Sequence, residues 1–376
     1  MSILLAIIAL SVLVFFHELG HFCSAKLSGV KVEEFGIGYP PRLFGLSKKD
    51  NKFLFFWGKK VPKDSKNTIY SLNLIPFGGF NQLKGEVGGK EKDSFSAQKW
   101  QKKAFVSLAG GLSNIILAFL VFSLCFFSGT PQLPEEEGGK IIKKEEIKVV
   151  MVMPSSPAAK AGIKLGDLIL SLNNKPISSV DEVLEEVHKH KGEEIVLTLK
   201  RKEEILEKKV KVLSQKEIYP GLEEEKGAIG ITPAKVAIVR YPFFQSLAKG
   251  LKTTIFLSWQ LILGISLFFK SVFLGKAAVL KEVVGPVGMT ALISQAAFAG
   301  FAYFLQLLGI LSLALGLCQL IPFPALDGFR VLTSLIEGLR KKPLKPEFEA
   351  VAINLGFFFL VSLMIIITAK EIIGFF

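Results

Sequence analysis

Cysteine is scarce in this chain. Cys23, Cys125 and Cys318 are the only three in 376 residues, and none forms a C-x-x-C pair. No disulfide framework follows from them; each sits in or beside an apolar run and reads as a small buried hydrophobe. A basic segment before the first apolar run is missing, and so is a small-residue cleavage site after it. That run therefore reads as a retained span and not as a signal peptide. Acidic residues are outnumbered, 33 against 46 Lys and Arg, for a net charge of +13. The surplus is local. Residues 26–103 hold sixteen Lys/Arg against seven Asp/Glu, whereas 131–250 hold twenty against nineteen. The excess thus flanks the apolar runs, as the positive-inside rule expects, and nucleic acid is not an expected partner. Histidine is rarest in relation to what it does: there are four, and two of them stand in one five-residue motif.

What is abundant is apolar. Half of the residues are hydrophobic, Phe alone numbers 33, and the mean hydropathy is +0.45. A chain of this length and composition reads as a polytopic membrane protein with a soluble insert.

The paired histidines belong to His17-Glu18-Leu19-Gly20-His21, an H-E-x-x-H motif. Histidines four apart lie one turn apart on one helical face, so both imidazoles reach one metal ion. The glutamate between them projects near the same centre without ligating it. A metal that lowers the pKa of a bound water, beside a carboxylate that takes its proton, is the arrangement of a zinc hydrolase. H-E-x-x-H also arises by chance in soluble helices. Here it closes the apolar run 3–16, where a central charge costs roughly 2.5–3.5 kcal/mol on insertion scales. A membrane helix bears that cost for a reason.

Along the chain, 3–25 form a first span, followed by Lys26 and Lys31, so the motif end faces the cytosol. Residues 30–90 are rich in Gly, Pro and aromatics. Lys52–Trp57 and Thr68–Leu74 have strand character and Gly78-Gly79 marks a turn, together a small β-structure at the membrane. Residues 103–128 are long enough for a second span. Pro131, Pro134 and Glu135–Glu137 open a soluble linker. In the insert, Val149–Met153, Leu168–Leu172, Glu194–Lys200 and Lys208–Leu213 read as strands. Pro157–Gly162 and Val180–His190 read as helices, and Asn173-Asn174 as a hairpin turn. Residues 253–269 are apolar with a polar stripe of Thr253, Gln260, Gly264 and Ser271, which suits an interfacial helix. If this stretch crossed, the next span, 296–321, would deliver Arg330, Arg340, Lys341 and Lys342 to the wrong side. The last span is 350–369, with Phe375 and Phe376 beyond it. The expected fold is therefore a polytopic α-helical membrane protein of about four spans, with a membrane-associated β-region and an inserted α+β domain.

A zinc hydrolase needs a third protein ligand and an open position. The candidate is Asp327 in Leu326-Asp327-Gly328, behind Pro322 and Pro324, which break the helix. Taken alone it would be an N-cap opening Gly328–Gly338. Its arrival at the same cytosolic depth as HELGH favours a ligand.

These residues resemble the site-2 protease family, of the bacterial RseP type, over nearly the whole chain. The resemblance rests on HELGH in a first span and Leu326-Asp327-Gly328 far downstream. Phe35–Gly38 with Tyr70–Gly79 is similar to the family's β-region, Phe95–Asn114 to its second span, and Gly285-Pro286-Val287-Gly288 to the segment before its third span. Pro157–Gly162 and Gly166–Ile169 look like its PDZ domain. Three departures stand out. Gln319 replaces the usual asparagine before the prolines, Gly111 replaces a proline after Ala109-Gly110, and only one PDZ pattern is evident.

The resemblance implies an intramembrane zinc metalloprotease. Zn²⁺ would be held by His17, His21 and Asp327, with Glu18 activating water. An exposed strand edge at Gly36, Ile37 and Gly38 would hold an unwound substrate, and Gln319 would bind it. Substrates would be single-span membrane proteins, such as a trimmed anti-sigma factor or remnant signal peptides, met in the lipid bilayer. The PDZ domain would read peptide tails. The expected layout is 1–128 for two spans and the β-region, 129–240 for the PDZ domain and linkers, 241–294 for the interfacial segment, and 295–376 for the last two spans. The expected location is a bacterial inner membrane, multi-pass, with the insert outside and the site toward the cytosol. A catalytically weak membrane PDZ scaffold is the alternative, favoured only by Gln319. A metal transporter would need acids and histidines strung along a path through several spans.

Overall fold

A computed structural model of the protein describes residues 2–49, 52–58, 67–86, 88–132, 139–153, 156–218, 226–275 and 283–373. Pro134, Glu135–Glu137, Phe375 and Phe376, named above, lie outside them. The chain divides into two units. One comprises Met1–Val121, Leu251–Ala291 and Leu308–Phe376, the other Phe122–Gly250 and Leu292–Leu307.

The first helix, α1, spans Ser2–Ser28 and ends where Gly29 takes a left-handed φ of +76°. Such a residue ends the helix because only glycine enters that region freely. Then come β1 (Val32–Lys49), β2 (Lys52–Trp57) and β3 (Ile69–Leu83). β1 and β3 are long and each folds on itself. Their pairings give the order β2, 44–49, 69–73, 34–37, 79–83. Gly78-Gly79 bends β3 and does not end it: Gly78 has φ +60°, its N–H donates to Ser11 Oγ, and Ser11 donates to Pro76 O.

This register corrects one expectation. Phe35, Gly36 and Ile37 pair with Asn81, Phe80 and Gly79 on one side and with Tyr70, Ser71 and Leu72 on the other. Asn73 Nδ2 also donates to the carbonyls of Ile37 and Gly38. Gly36, Ile37 and Gly38 are thus an inner strand whose hydrogen bonds are taken. The free edge is 79–83; among the described residues no strand pairs with its other side.

Helix α2 (Trp100–Ser128) leads into the second unit. That unit contains β4 (Thr130–Gln132), β5 (Lys140–Val152), α3 (Pro157–Lys160), β6 (Leu168–Leu172), β7 (Lys175–Pro176) and α4 (Val180–Lys189). It continues with β8 (Glu194–Arg201), β9 (Glu204–Lys211), β10 (Leu213–Ser214), α5 (Gln215–Ile218), β11 (Gly227–Ala228) and β12 (Ile231–Arg240). The main sheet runs β4-β12-β5-β6-β8-β9, antiparallel throughout. Asn173 and Asn174 both have positive φ, as a two-residue hairpin turn requires. Its core is Val149, Ile169, Leu172, Val183, Ile195, Leu197 and Leu199. Asp167, fully buried, is gripped by Arg201 through two 2.7 Å bonds and accepts from the Lys164 N–H. β12, near the end of the 129–240 stretch, pairs along most of β5.

The remaining helices are α6 (Phe243–Phe273), α7 (Pro286–Ala299), α8 (Phe301–Gln319), α9 (Asp327–Arg340) and α10 (Pro346–Ile373). The stretch 296–321, read as one span, is broken at Gly300, whose φ is +136°. Among the described residues five helices are long and apolar enough to cross a membrane: α1, α2, α6, α8 and α10. The fifth relative to expectation is α6. It turns Leu251, Thr254, Ser258 and Ile262 toward Ile115, Ile116 and Phe119 of α2, leaving Gln260 and Gly264 of the polar stripe exposed. Helices α2 and α8 approach closely. A Cβ on Gly111 would lie 2.9 Å from Gly316 O, and Ser312 Oγ donates to Asn114 O. Small residues permit this approach.

Candidate metal centre

His17, Glu18 and His21 lie in the second half of α1, which α2 backs. Ser113 Oγ of α2 donates to Phe16 O at 2.7 Å, tying the two helices together. Gly110, one turn before Asn114, faces both imidazoles. His21 Nδ1 lies 2.8 Å from Val106 O. Donation to that carbonyl fixes the tautomer and leaves Nε2 with a free lone pair. His17 Nδ1 is buried and has no partner.

The third ligand arrives from the far end of the sequence. Helix α8 stops at Gln319, Pro322 and Pro324 follow, and Ala325 takes φ +78°. Leu326 is the extended N-cap of α9 and makes no side-chain cap bond. Asp327 is therefore the first residue of the helix and not its cap, and its carboxylate is free to turn inward. Its Oδ2 lies 3.0 Å from His17 Nε2 and 3.0 Å from His21 Nε2. The two Nε2 atoms are 3.2 Å apart. Donors at 2.0–2.2 Å from a tetrahedral zinc are roughly 3.3 Å from one another. The triangle matches within a few tenths of an ångström, and two neutral nitrogens with one carboxylate oxygen are a normal zinc donor set. Burial would raise the Asp327 carboxyl; whenever the imidazoles carry a proton on Nε2 toward it, they hold it below the ordinary carboxylate range.

The triangle opens into a cavity of about 420 Å³ that Glu18 also lines. Tyr39, Phe80 and Asn81 border it from the β-region and Gln319 from the end of α8. The sites expected at Glu18, His17, His21, Asp327 and Gln319 thus come together. Gly36, Ile37 and Gly38 do not line the cavity; Gly36 lies behind Phe80 in the sheet.

Sequence reasoning missed three residues. Arg330, one turn into α9, pairs with Glu86 at the cavity wall. The same pair borders a second cavity of about 470 Å³, walled further by the buried ion pair of Lys103 and Glu337 at 2.9 Å. Glu86 and Arg330 are 244 positions apart, so no local pattern could join them. Asn81 is the third, a carboxamide on the free sheet edge with both polar atoms buried and unpartnered. Its one signal was an asparagine within an apolar strand.

The sequence pattern described as peptidase family M50 matches residues 5–57 and 57–363. A Clostridium perfringens protein that bears a zinc-metalloprotease name is 32% identical over 99% of this chain and 99% of its own. The zinc metalloprotease RasP of Shouchella clausii is 27% identical, again over 99% of each chain. Among solved structures, the PDZ domain of an SdrC-like protein from Listeria monocytogenes is 22% identical. It covers 24% of this chain and 90% of its own, with a TM-score of 0.21.

Proposed function

Because this chain belongs to peptidase family M50 and is a zinc metalloprotease, we propose that it cleaves single-span membrane proteins within the bilayer. The observation that carries this reading is the meeting of His17, His21 and Asp327 beside Glu18, with both histidines on an apolar helix long enough to span. His17, His21 and Asp327 would hold zinc, which when bound would supply a Lewis acid for the scissile carbonyl and for the attacking water. Glu18 takes the proton of that water and delivers it to the leaving amine. The Gln319 NH₂ donates to the oxygen that becomes anionic.

The substrate helix must first unwind, because its carbonyls are held in i→i−4 bonds. We assign the holding surface to the edge 79–83 in place of Gly36–Gly38. Phe80 and Asn81 of that edge border the cavity, and its outward backbone groups are free for β-addition. Four crossings by α1, α2, α8 and α10 keep Lys26, Lys102 and Arg340 on one side, the cytosolic side of a bacterial inner membrane. In this reading α6 folds against α2 without adding a crossing, and 129–240 is an extracytoplasmic PDZ-type domain. That domain reads tails or filters by size. A substrate already trimmed outside, such as an anti-sigma factor or a remnant signal peptide, fits this arrangement.

Glu18→Gln tests the reading. The variant should bind zinc as the parent does and lose 10²–10⁴-fold in turnover of a membrane peptide in detergent. Near-parental cleavage by zinc-loaded Glu18→Gln protein would remove Glu18 from the chemistry.

A further inference from the structure

Among the described residues, besides Asn81 on the sheet edge, two buried groups near the triangle of donors lack partners, one on α1 and one on α2. One is His17 Nδ1; the other is the whole carboxamide of Asn114, a residue with no exposed surface. They lie on facing helices. Gly110 is the α2 residue against the His17 ring: a Cβ there would stand 2.7 Å from Cε1, the ring carbon bonded to Nδ1. Asn114 is one turn further along α2 on the same face. Its backbone is fixed, since Ser312 Oγ of α8 donates to its carbonyl at 2.8 Å and Gly316 packs against its Cβ. Its side chain is not fixed, because neither Oδ1 nor Nδ2 is bonded.

The two histidines differ in this respect. The partner of His21 Nδ1 is the backbone carbonyl of Val106. The matching carbonyl one turn along α2, Gly110 O, does not play that part: His17 Nδ1 has no partner, and Gly110 O lies 2.8 Å from Ser113 Oγ, whose single proton Phe16 O also competes for. Coordination of a metal through His17 Nε2 puts the ring proton on Nδ1, and a buried donor without an acceptor is costly. The geometry points to Asn114 as the positioning residue of the metal centre: a rotation of its free carboxamide lets Oδ1 accept the His17 Nδ1 proton. That bond sets the ring orientation and raises the basicity of Nε2, as outer partners of zinc-bound histidines do. The inference rests on His17 being a ligand.

The test is zinc affinity of the full-length protein in detergent, by competition with a chromophoric chelator, together with the unfolding temperature of the zinc-free protein. His17→Ala tests the premise and should abolish tight binding; if it does not, the ligand assignment itself fails. Asn114→Leu has similar volume and no acceptor, and should bind zinc about 10–100-fold more weakly. Asn114→Asp keeps an acceptor at the same place and should bind at least as tightly as the parent. Parental zinc affinity in Asn114→Leu overturns the inference, as does a lowered zinc-free unfolding temperature with zinc affinity unchanged, which marks a purely structural residue. If Asn114→Leu does not fold, Asn114→Asp decides: zinc binding weaker than the parent's overturns the inference.

Discussion

Gly110→Ala is the smallest change that should disable the centre. A Cβ at 110 would stand 2.6 Å from His21 Cε1 and 2.7 Å from His17 Cε1. Ordinary van der Waals contact begins near 3.4 Å, so the His17 ring must withdraw by about 0.7 Å and the His21 ring, whose Nε2 would be nearer still than its Cε1, by more than about 0.8 Å. The backbone of α2 cannot yield instead, because Gly111 already lies against Gly316 O and Ser113 is bonded to Phe16 O. Ligand distances tolerate only about ±0.2 Å, and the required shift is several times larger. Overpacking of this kind costs about 1–3 kcal/mol, and a misplacement near 1 Å costs on the order of 10² in rate. The expected result is a helical, folded protein that copurifies with substoichiometric zinc and turns over at least 10²-fold more slowly. Zinc per protein by elemental analysis and cleavage of a membrane peptide are measured on the same samples. Stoichiometric zinc with near-parental turnover would show that the rings can step aside, and would refute a centre fixed by helix contact.

Two further outcomes follow from the structure. Gln319→Leu should keep zinc and lose on the order of 10²–10³ in turnover, whereas Gln319→Asn should be tolerated; a leucine variant at parental rate makes Gln319 structural. Asp167→Ala leaves the buried Arg201 site uncompensated, which for a fully buried pair costs about 3–5 kcal/mol and somewhat less here, since a quarter of the Arg201 side chain is exposed. The unfolding transition of the insert should move down while zinc content stays at the parental level; a fall in zinc content would contradict the assignment of ligands to His17, His21 and Asp327 alone.

The metal centre was legible because its signals are local. HELGH puts two histidines and a glutamate on one stretch of helix by spacing, and Pro322-Phe323-Pro324 announces that the chain leaves the helix before Asp327. The strands of the insert were legible for the same reason, through alternation and the Asn173-Asn174 turn. What was not legible depends on partners distant in sequence. Alternation says which face a strand buries but not which strand lies beside it, so Gly36–Gly38 read as an edge although β3 folds around it on both sides. β12 carries Lys and Arg among its apolar residues and looked like linker; its identity comes from pairing with β5. Glu86 and Arg330 look like two more juxtamembrane charges until α9 brings them together.

The position of Gly110 gives the centre its logic. A helical side chain leans toward the N-terminus and covers the turn before its own Cα. A side chain at 110 would therefore cover Val106, whose carbonyl is the partner of His21 Nδ1. The missing Cβ thus does two things at once: it leaves room for both imidazoles and it uncovers the acceptor that fixes one of them. Inside a bilayer, helices gain little from apolar burial and pack through small residues and hydrogen bonds. The distance between α1 and α2 is then set by backbone contact, and the ligand atoms inherit that distance. A metal centre built this way needs few polar supports of its own, and the two it has or can form, Val106 O for His21 and Asn114 for His17, both come from the helix that Gly110 allows so close.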